Sequence, residues 1–417
     1  MDAELKAKLG RLRPGIVLPG TLDVKSDEIN FVKVELERRG HAVITIDCGV
    51  LGESRLVPTI SRAEVARAGG GDIDQLRRSG DRAAAMAVMH SGLAACVSEL
   101  QANDRILGYF GIGGGTNASL AAVSFEVMRY GIPKLLVSTS VSGDVSRIVG
   151  IKDVVLMNSV VDILGLNDFL ATLVRTAAGI MSAMVAQASR DKAVTSNCIA
   201  LTAFGCTTEA ANYALEQLNR RGYEVLTFHA RGTGGRAAET FMREGWITGV
   251  LDLTITEVAD EVVGGIRSAG PTRLDAAAEL GLPQVVLPGA IDVVNLGSAE
   301  TIPGRFAGRN IVMHTPSSAL MRSTAAENIE IARFVARKLN RAVGPVAVVL
   351  PLRGFSSYDI EGGPFYDPEA DSAFCTTLVS ELRSCIPVER LDLHINDAGC
   401  ATVATDLLLD MYAKQSR

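Results

Sequence analysis

Residues 105–117 read Arg105-Ile-Leu-Gly-Tyr-Phe-Gly111-Ile-Gly-Gly-Gly-Thr-Asn117, an apolar run followed directly by a glycine cluster and a helix-start signal. This order predicts a β-strand, a tight loop and an α-helix. Backbone N–H groups in such a loop can approach a phosphate closely, and the N-terminus of the helix points at it. Thr116 is placed to cap the helix and to offer a hydroxyl to the same ligand.

The glycine cluster differs from the two best-known phosphate loops. No Lys-Ser/Thr pair follows it, as in the Walker loop, and Thr116 stands where the dinucleotide fingerprint has its last glycine. The alternative interpretation is an ordinary tight corner without a ligand. We predict phosphate binding by the following residues: Gly113, Gly114, Gly115, Thr116 and Asn117.

The composition of the 417-residue chain favours an α/β protein of two or three domains. Hydrophobic residues make up 47% of the chain, which supplies ample core. The 41 glycines and the 5% of aromatic residues suit tight βα corners and close helix packing. A formal net charge of −6 without a basic run argues against nucleic acid as a partner.

The sequence carries no pattern typical of secretion, membrane insertion or disulfide bonding. Its charged N-terminus has no apolar signal-peptide core, so we expect a cytoplasmic protein that does not bind a membrane. The apolar segment 169–188 contains Arg175, Gly179 and many small residues, which favours a buried helix over a membrane span. The seven cysteines lack metal-ligand spacing, and no metal site is predicted from them.

Short apolar runs alternate with longer helical segments in the first half of the chain. The predicted strands are 16–20, 42–47, 106–110, 133–137 and 154–157. Such alternation predicts a parallel sheet covered by helices. A polar stretch beginning at Gln187 interrupts the pattern and sets the predicted domains at 1–190 and 191–417.

The second half of the chain repeats the pattern of the first. The segment Arg220-Arg-Gly-Tyr-Glu-Val-Leu-Thr-Phe-His229 mirrors Arg38-Arg-Gly-His-Ala-Val-Ile-Thr-Ile-Asp47. Further on, the segment 281–292 aligns with 131–142, in the same order along the chain. Two ordered matches predict an α/β protein of two similar Rossmann-like domains, each a doubly wound parallel sheet.

Polar clusters follow two more strands of the first domain. They are Thr21, Asp23 and Lys25 after the first strand, and Thr139, Ser140, Ser142, Gly143 and Asp144 after the fourth. Because the carboxyl ends of parallel strands face one crevice, we predict that both clusters border the glycine loop and bind phosphate or Mg²⁺. Turn formation is the alternative role. Asp47, which ends the second strand, either contacts a ribose or caps a turn.

The second domain contains another candidate anion site after a strand and before a helix. It consists of Gly232, Thr233, Gly234, Gly235 and Arg236, and we interpret it as the counterpart of the first glycine loop. Backbone amides and guanidinium groups both suit an anion. The alternative is a tight corner with solvated arginines.

Three histidines, His229, His314 and His394, each end a predicted strand of the second domain, and Asp397 follows the last of them. If these strand ends share one crevice, the four side chains converge with Asp292 or Asp359 nearby. Histidines and carboxylates serve in zinc binding and in acid–base catalysis. The alternative is that each His only satisfies loop backbone. The four side chains are candidates for catalysis, and no metal-ligand spacing or nucleophile elbow accompanies them.

Taken together, six ordered motifs give the chain a family resemblance that covers nearly its whole length. They are Gly20-Thr21-x-Asp23-x-Lys25, Gly114-Gly115-Thr116, Pro133-Lys134 with Ser138-Thr139-x-x-Ser142-Gly143-Asp144, Phe228-His229-Ala230 with Gly232-Thr233-Gly234-Gly235, Leu251-Asp252-Leu253-Thr254, and His394-Ile-Asn396-Asp397. The chain resembles an uncharacterised protein family that includes the ATP-binding N-terminal domain of the tomato mosaic virus resistance protein. The chain departs from the family pattern in two places. Ile112 and Gly113 stand where the family loop Gly-Gly-Ser-Gly-Gly-Thr has its second glycine and its serine, so one hydroxyl is lost. Arg231 replaces a small polar residue, and a cation there favours an anionic ligand.

The resemblance implies two Rossmann-like subdomains with ATP, accompanied by Mg²⁺, bound in the first. In the tomato protein this region binds a viral replication protein, and a phosphoenolpyruvate-hydrolase-like barrel follows it. No such barrel is present in these 417 residues. We therefore expect a separate barrel protein of that type as a partner, and we expect the chain to form a homo-oligomer.

The leading hypothesis is a two-domain ATP- or nucleotide-binding protein of small-molecule metabolism, with a phosphorylated ligand held in the first domain. A second hypothesis is a catabolic enzyme that acts on an anionic small molecule in a cleft between the domains, using the histidines. A third is a protein-interaction module. The sequence leaves open whether the protein is an enzyme.

Overall fold

The computed structural model describes residues 1–189 and 197–415, and the chain divides into two compact units. Unit 1 is Met1–Lys192 and unit 2 is Ala193–Arg417. The predicted boundary at residue 190 lies outside the described residues. Each unit has its own parallel sheet with helices on both faces, so the predicted pair of Rossmann-like α/β domains is confirmed.

The sheet of unit 1 has five parallel strands in the order β2-β1-β3-β4-β5. The strands are β1 Gly15–Gly20, β2 Val43–Asp47, β3 Ile106–Gly113, β4 Lys134–Ser138 and β5 Val155–Asn158. All six residues of β1 and all five of β4 are buried. Burial on both faces explains why these strands read as continuous apolar runs rather than alternating ones.

Helices cover both faces of this sheet. They are α1 Ala3–Arg11, α2 Ser26–Glu37, α3 Arg62–Ala68, α4 Ile73–Ser79, α5 Arg82–Ala102, α6 Gly115–Val127, α7 Ser146–Val149 and α8 Asp168–Ala188. Helices α5 and α6 pack in one apolar cluster with Tyr109 and Leu136 of the sheet. Helices α2 and α8 pack in a second cluster with Ile16 and Phe110. Successive side chains along a strand therefore point alternately into two separate apolar clusters, one on each face of the sheet.

Two helices of unit 1, α5 and α8, are long and apolar enough to cross a membrane by length and composition alone. Each of them buries 39% of its apolar stretch inside the protein. Leu93 and Val97 of α5 are fully buried, and so are Leu170 and Met181 of α8, whereas Phe169 of α8 is exposed. Packing against the sheet thus accounts for part of their apolar composition.

Gly179 of α8 offers a test of this packing. A β-carbon on Gly179 would meet no heavy atom within 4 Å outside its own helix turns, so the site has room for alanine. Because alanine loses less backbone entropy than glycine in a helix, Gly179→Ala is expected to raise the free energy of unfolding by about 0.5–1 kcal/mol. Urea unfolding followed by circular dichroism measures this change. A loss of stability would mean that a neighbouring group occupies the space beside Gly179.

The main sheet of unit 2 has six parallel strands in the order β14-β13-β9-β8-β6-β7, and a separate antiparallel sheet has the order β10-β12-β11. The strands are β6 Cys198–Ala203, β7 Glu224–His229, β8 Gly249–Thr254, β9 Gln284–Gly289, β10 Val293–Leu296, β11 Ile311–Thr315, β12 Ser318–Arg322, β13 Val346–Pro351 and β14 Val388–Leu391. The antiparallel sheet was not predicted. His314 therefore lies on an antiparallel strand, β11, and not at the end of a parallel one as expected.

Helices again cover both faces of the main sheet of unit 2. They are α9 Thr208–Arg220, α10 Thr233–Arg243, α11 Thr256–Val263, α12 Asp275–Leu280, α13 Ala325–Leu339, α14 Pro368–Glu381 and α15 Ala398–Gln415. Helices α9 and α15 share one apolar cluster, and α11, α13 and α14 share another.

The two units have the same strand topology. In unit 2 the strands β7-β6-β8-β9-β13 follow the order of β2-β1-β3-β4-β5 in unit 1. Gly40 and Gly222, the matched glycines of the repeat, both lie in the left-handed region, with φ of +86° and +83°. Each ends the helix between the first two strands of its unit, where glycine adopts this conformation without strain. The shared topology explains the sequence repeat.

Candidate functional site

The strand order of unit 1 locates the crevice in which doubly wound proteins bind ligands. This crevice lies beyond the carboxyl ends of the strands, at the point where the strand order reverses direction. In unit 1 that point lies between β1 and β3. Thr21 directly follows β1 and Gly114 directly follows β3, so the first polar cluster and the glycine loop meet at the switch point.

The glycine loop is shorter than predicted, because β3 continues to Gly113 and α6 begins at Gly115. Gly114 is the N-cap residue of α6, and no side chain caps the helix. The prediction that Thr116 is the cap is therefore wrong. Thr116 lies in the first turn, where backbone N–H groups have no partner within the helix.

Two hydroxyl groups face the glycines across the crevice. A β-carbon on Gly114 would lie 3.8 Å from Oγ1 of Thr139, and one on Gly115 would lie 3.8 Å from Oγ of Ser140. No other heavy atom of the described residues, apart from chain neighbours and the backbone of the same helix, comes within 4 Å of either position. The glycines thus keep open a space lined by hydroxyls and by the first turn of α6.

Asn117 connects the two loops of the crevice. Its Oδ1 accepts hydrogen bonds from the backbone N–H of Thr21 at 3.4 Å and from the Thr21 hydroxyl at 3.3 Å, and its Nδ2 donates to the carbonyl of Ile112 at 2.7 Å. The side chain is buried. Asn117 therefore holds Thr21 against the end of β3.

Asp23 and Lys25 also bind protein groups. Oδ2 of Asp23 accepts hydrogen bonds from the amides of Leu51 and Gly52, at 2.9 and 3.3 Å, and so shapes the loop after β2. The ammonium of Lys25 donates to the carbonyl of Ile163. Both side chains support the walls of the crevice.

Of the two roles proposed for Asp47, ribose contact and turn capping, its hydrogen bonds match turn capping. Its Oδ1 accepts from the amides of Leu22 and Gly49, and its Oδ2 lies 2.6 Å from Nε of Arg62. Burial raises the pKa of Asp47, although the amide of Gly49 and the Arg62 guanidinium act in the opposite direction. Asp47 thus connects loops that follow the C-terminal ends of the strands.

The remaining residues of the second cluster form a turn. Ser142 donates to the carbonyl of Thr139 at 3.0 Å, and Gly143 ends the short 3₁₀ segment. Asp144 accepts from the amide of Ser146 at 2.9 Å, a bond that lowers the pKa of Asp144. Of this cluster, Thr139 and Ser140 lie nearest the glycines.

In the candidate anion segment of unit 2, residues 232–236, a carboxylate of the protein already binds two backbone amides. Glu257, which is fully buried, accepts from the backbone N–H of Gly232 at 2.6 Å and of Gly235 at 2.9 Å. Thr233 and Arg236 are exposed, and Gly234 lies against the backbone of the preceding strand. The segment binds the carboxylate of the protein itself.

The same segment is not the topological counterpart of the first glycine loop. It follows β7, the second strand of its unit, whereas the glycine loop follows β3, the third strand of unit 1. The equivalent position in unit 2 is the start of α11 after β8, where Thr256 and Glu257 lie. The glycines of the two loops therefore have different structural roles.

A cavity of about 700 Å³ lies within unit 2, beyond the carboxyl ends of β6 and β7. Two of the three candidate histidines line it, His229 and His314. The ring of His229 stacks on Phe204 with 5.4 Å between centroids, and Nδ1 of His314 lies 3.0 Å from the hydroxyl of Tyr358. Burial, followed by the charge of Arg231, lowers the pKa of His229.

His394 and Asp397 do not join this cavity. Nδ1 of His394 accepts from the amide of Asn396 at 3.2 Å, and Nε2 lies 3.0 Å from the carbonyl of Ser356. Oδ2 of Asp397 accepts from the amide of His394 at 2.8 Å. Both residues serve the loop backbone, which was the alternative to the catalytic role.

Asp292 and Asp359 are likewise buried away from the cavity. Asp292 accepts from the hydroxyl of Ser356 at 2.5 Å, and Asp359 accepts from the amide of Phe355 at 2.9 Å. Burial and the neighbouring Asp359 raise the pKa of Asp292. Within the described parts of the chain, no group of three or more His, Cys, Asp or Glu side chains is arranged to hold a metal ion.

Sequence reasoning missed several residues that line the cavity of unit 2, among them Phe204 and Arg267. Phe204 follows β6 as Thr21 follows β1, so the internal repeat contained a signal for it. Arg267 lies in a loop far along the chain, and no motif marked it. Their shared position becomes visible only in three dimensions.

Comparisons with known proteins cover both units. The model of the uncharacterised protein family (UPF0261) N-terminal domain matches residues 14–190, and that of the C-terminal domain matches residues 196–412. A UPF0261 protein of Clostridium tetani is 43% identical over 96% of this chain and 99% of its own length, and one of Rhizobium meliloti is 37% identical over 95% and 98%. The ToMV resistance protein Tm-1(GCR237) of Solanum lycopersicum is 40% identical over 80% of this chain, a match that covers 45% of the tomato protein.

Proposed function

The chain belongs to the uncharacterised protein family UPF0261, and we propose that it is a nucleotide-binding protein whose unit 1 holds the phosphates of ATP or a related nucleotide. One observation carries this proposal. At the switch point of the sheet, Gly114 and Gly115 leave open a space that the hydroxyls of Thr139 and Ser140 face. Such a space suits a group that is small, rich in oxygen and negatively charged.

The donors around this space match the chemistry of a phosphate. The first-turn amides of α6 point out of the helix, and the helix dipole adds partial positive charge at the same place. The two hydroxyls supply further donors. Mg²⁺ would accompany the nucleotide, and Asp144, which is exposed near this edge, offers an oxygen ligand for it.

The roles proposed for the surrounding residues follow from their contacts. Thr21, held by Asn117, closes the crevice on the β1 side. Asp23 and Lys25 set the shape of that wall through the amide of Leu51 and the carbonyl of Ile163. The glycines and the two facing hydroxyls would make the direct contacts.

Calorimetric titration of the full chain with ATP and MgCl₂ tests the proposal. Gly114→Val is expected to weaken binding by at least about tenfold, a loss of about 1.4 kcal/mol, because its methyl groups enter the open space. The fold tolerates this side chain, since Gly114 has a φ of −80° and only the Thr139 hydroxyl lies near its β-carbon position. Gly179→Ala serves as the control and should bind ATP like the wild type.

A smaller change tests the hydroxyl directly. Thr139→Val keeps the shape of the side chain and removes one donor, so we expect an intermediate loss of affinity. Absence of binding heat in the wild type would overturn the proposal. Unchanged affinity in Gly114→Val would do the same.

A further inference from the structure

We propose that the cavity of unit 2 is a second, independent ligand site, which binds a small organic anion through Arg231 and Arg267. The expected ligand carries a carboxylate or a phosphate at one end and an apolar or hydroxylated body. This site is distinct from the crevice of unit 1 and from the glycine segment 232–236.

The charge of the cavity is the first argument. The described residues that line it include two arginines, Arg231 and Arg267, but no Asp or Glu. The whole chain, in contrast, has a net charge of −6. Concentration of cationic side chains in one cavity of an acidic protein favours an anionic ligand.

The two guanidinium groups also lack counterions. Among the described residues, neither Arg231 nor Arg267 forms an ion pair, whereas the buried Arg62, Arg273 and Arg322 each pair with a carboxylate. Arg267 is half-buried and lies over the ring of Phe204, with 5.3 Å from its guanidinium carbon to the ring centroid. Burial, and then the neighbouring Arg231, lower the pKa of Arg267. Two like charges held together in this way are stabilised by an anion between them.

Nearby carboxylates are committed to other groups. Glu257 binds Arg273 and two backbone amides. Asp260 accepts from the backbone amides of Arg267 and Asn295, at 2.7 and 2.8 Å. Neither carboxylate forms an ion pair with the guanidinium of Arg231 or Arg267, although the charge of Asp260 acts on Arg267 and Arg231 is exposed to water. An anion in the cavity would therefore displace no ion pair of the described residues.

The other walls of the cavity indicate the body of the ligand. Phe204, Ile266, Leu320 and Tyr358 supply apolar surface. Four hydroxyl residues also line the cavity, Thr315, Ser317, Ser318 and Ser357. A volume of about 700 Å³ lies within the range of small-molecule pockets.

The place of the cavity in the fold agrees with this assignment. Its wall at residues 204–206 directly follows β6, the strand that borders the switch point of unit 2. Its second wall is the hairpin between β11 and β12, which carries His314. Cys206 also lines the cavity, but burial raises the pKa of its thiol, so it remains protonated and contributes surface rather than a nucleophile.

The test uses the full chain and four probes, added separately at millimolar concentration. Malonate and benzoate represent carboxylates, and inorganic phosphate and phenyl phosphate represent phosphates. We expect at least one probe to bind in calorimetry and to raise the melting temperature. Arg267→Gln and Arg231→Gln should each weaken that binding by at least about tenfold. Tighter binding of the two carboxylates or of the two phosphates identifies the anionic group of the natural ligand.

Matched variants test whether the probes bind at this cavity rather than elsewhere on the protein. Arg220→Gln removes an exposed arginine that pairs with Glu216 on the same unit, and it should leave probe binding unchanged. Gly114→Val fills the phosphate space of unit 1, so any phosphate probe that still binds this variant binds elsewhere. Malonate and benzoate should bind Gly114→Val like the wild type, so failure of ATP binding and failure of this site give different results. Circular dichroism spectra verify that both arginine variants are folded.

Three outcomes would overturn the second site. The first is that none of the four probes binds the wild type. The second is that Arg231→Gln and Arg267→Gln bind as tightly as the wild type. The third is that Arg236→Gln weakens binding as much as Arg267→Gln, which would move the ligand to the segment 232–236.

Discussion

Replacing Arg273 with methionine is expected to destabilise unit 2 by about 3–5 kcal/mol. Arg273 is 1% exposed and donates to both oxygens of Asp252 at 2.6 Å and to Glu257 at 2.9 Å. Glu239 lies 3.8 Å away. Methionine fills much of the volume but leaves three buried carboxyl groups without their cation. The loss comes from these stranded charges more than from lost packing.

The pH dependence of Arg273→Met distinguishes stranded charge from a packing defect. Burial already raises the pKa of Glu239, and the variant removes the Arg273 charge that acts in the opposite direction. The folded state then holds more protons, so stability falls as pH rises from about 4 towards neutrality. Denaturant unfolding at several pH values measures this, and the difference from the wild type should be larger at pH 8 than at pH 5. A defect of equal size at all pH values would instead indicate lost packing.

Arg220→Met provides the matched control. Arg220 is exposed and pairs with Glu216 on the surface of α9. Water and salt screen such a pair, so the same substitution there should change the free energy of unfolding by less than about 0.5 kcal/mol. Comparable losses in both variants would show that methionine itself, rather than the buried charge, destabilises unit 2.

The second large effect is expected for Gly92→Ala in unit 1, with a loss of about 3 kcal/mol. A β-carbon on Gly92 would lie 1.9 Å from the carbonyl oxygen of Val65, and one on Gly69 would lie 2.1 Å from that of Val88. Helices α3 and α5 therefore cross with their backbones in contact. One methyl group forces them apart, and a backbone carbonyl cannot rotate away as a side chain can.

Gly179→Ala is the matched control for Gly92→Ala, because both change a helical glycine to alanine in the same unit. The expected signs are opposite, since alanine at position 179 meets no neighbour within 4 Å. Urea unfolding of the two variants side by side measures the difference. If Gly92→Ala also stabilised the protein, that result would contradict the backbone contact between α3 and α5.

The fold was largely predictable because its signals are local or periodic. Buried parallel strands appear as apolar runs, and the repeat of 38–47 at 220–229 revealed two units of one topology. The antiparallel sheet escaped prediction for a local reason. Pro316 and Ser317 separate β11 from β12, whereas two-residue hairpins usually carry Asn-Gly or Asp-Gly. No sequence signal therefore indicated that His314 lies on an antiparallel strand outside the main sheet.

Roles of single polar residues were harder to predict than their positions. Asn117 and Asp23 bind groups that lie 96 and 28 residues away, and Glu257 occupies amides of the segment 232–236 from 25 and 22 residues further along the chain. A sequence shows donors and acceptors but not which of them satisfy one another. Arg267 stands out for the opposite reason, because its guanidinium forms no ion pair with the described residues, and only the folded chain shows this.

The hairpin of β11 and β12 has a consequence for how the two units diverged. It belongs to a long insertion between the fourth and fifth strands of unit 2, where unit 1 has only a short connection containing α7. The strand order of the shared scaffold is the same in both units, although apolar side chains of the insertion join the core of unit 2. Unit 2 thus has a cavity with one wall built from a single long connection, whereas unit 1 has a short connection at the same place. In this architecture a connection can differ greatly in length and content while the strand order stays the same.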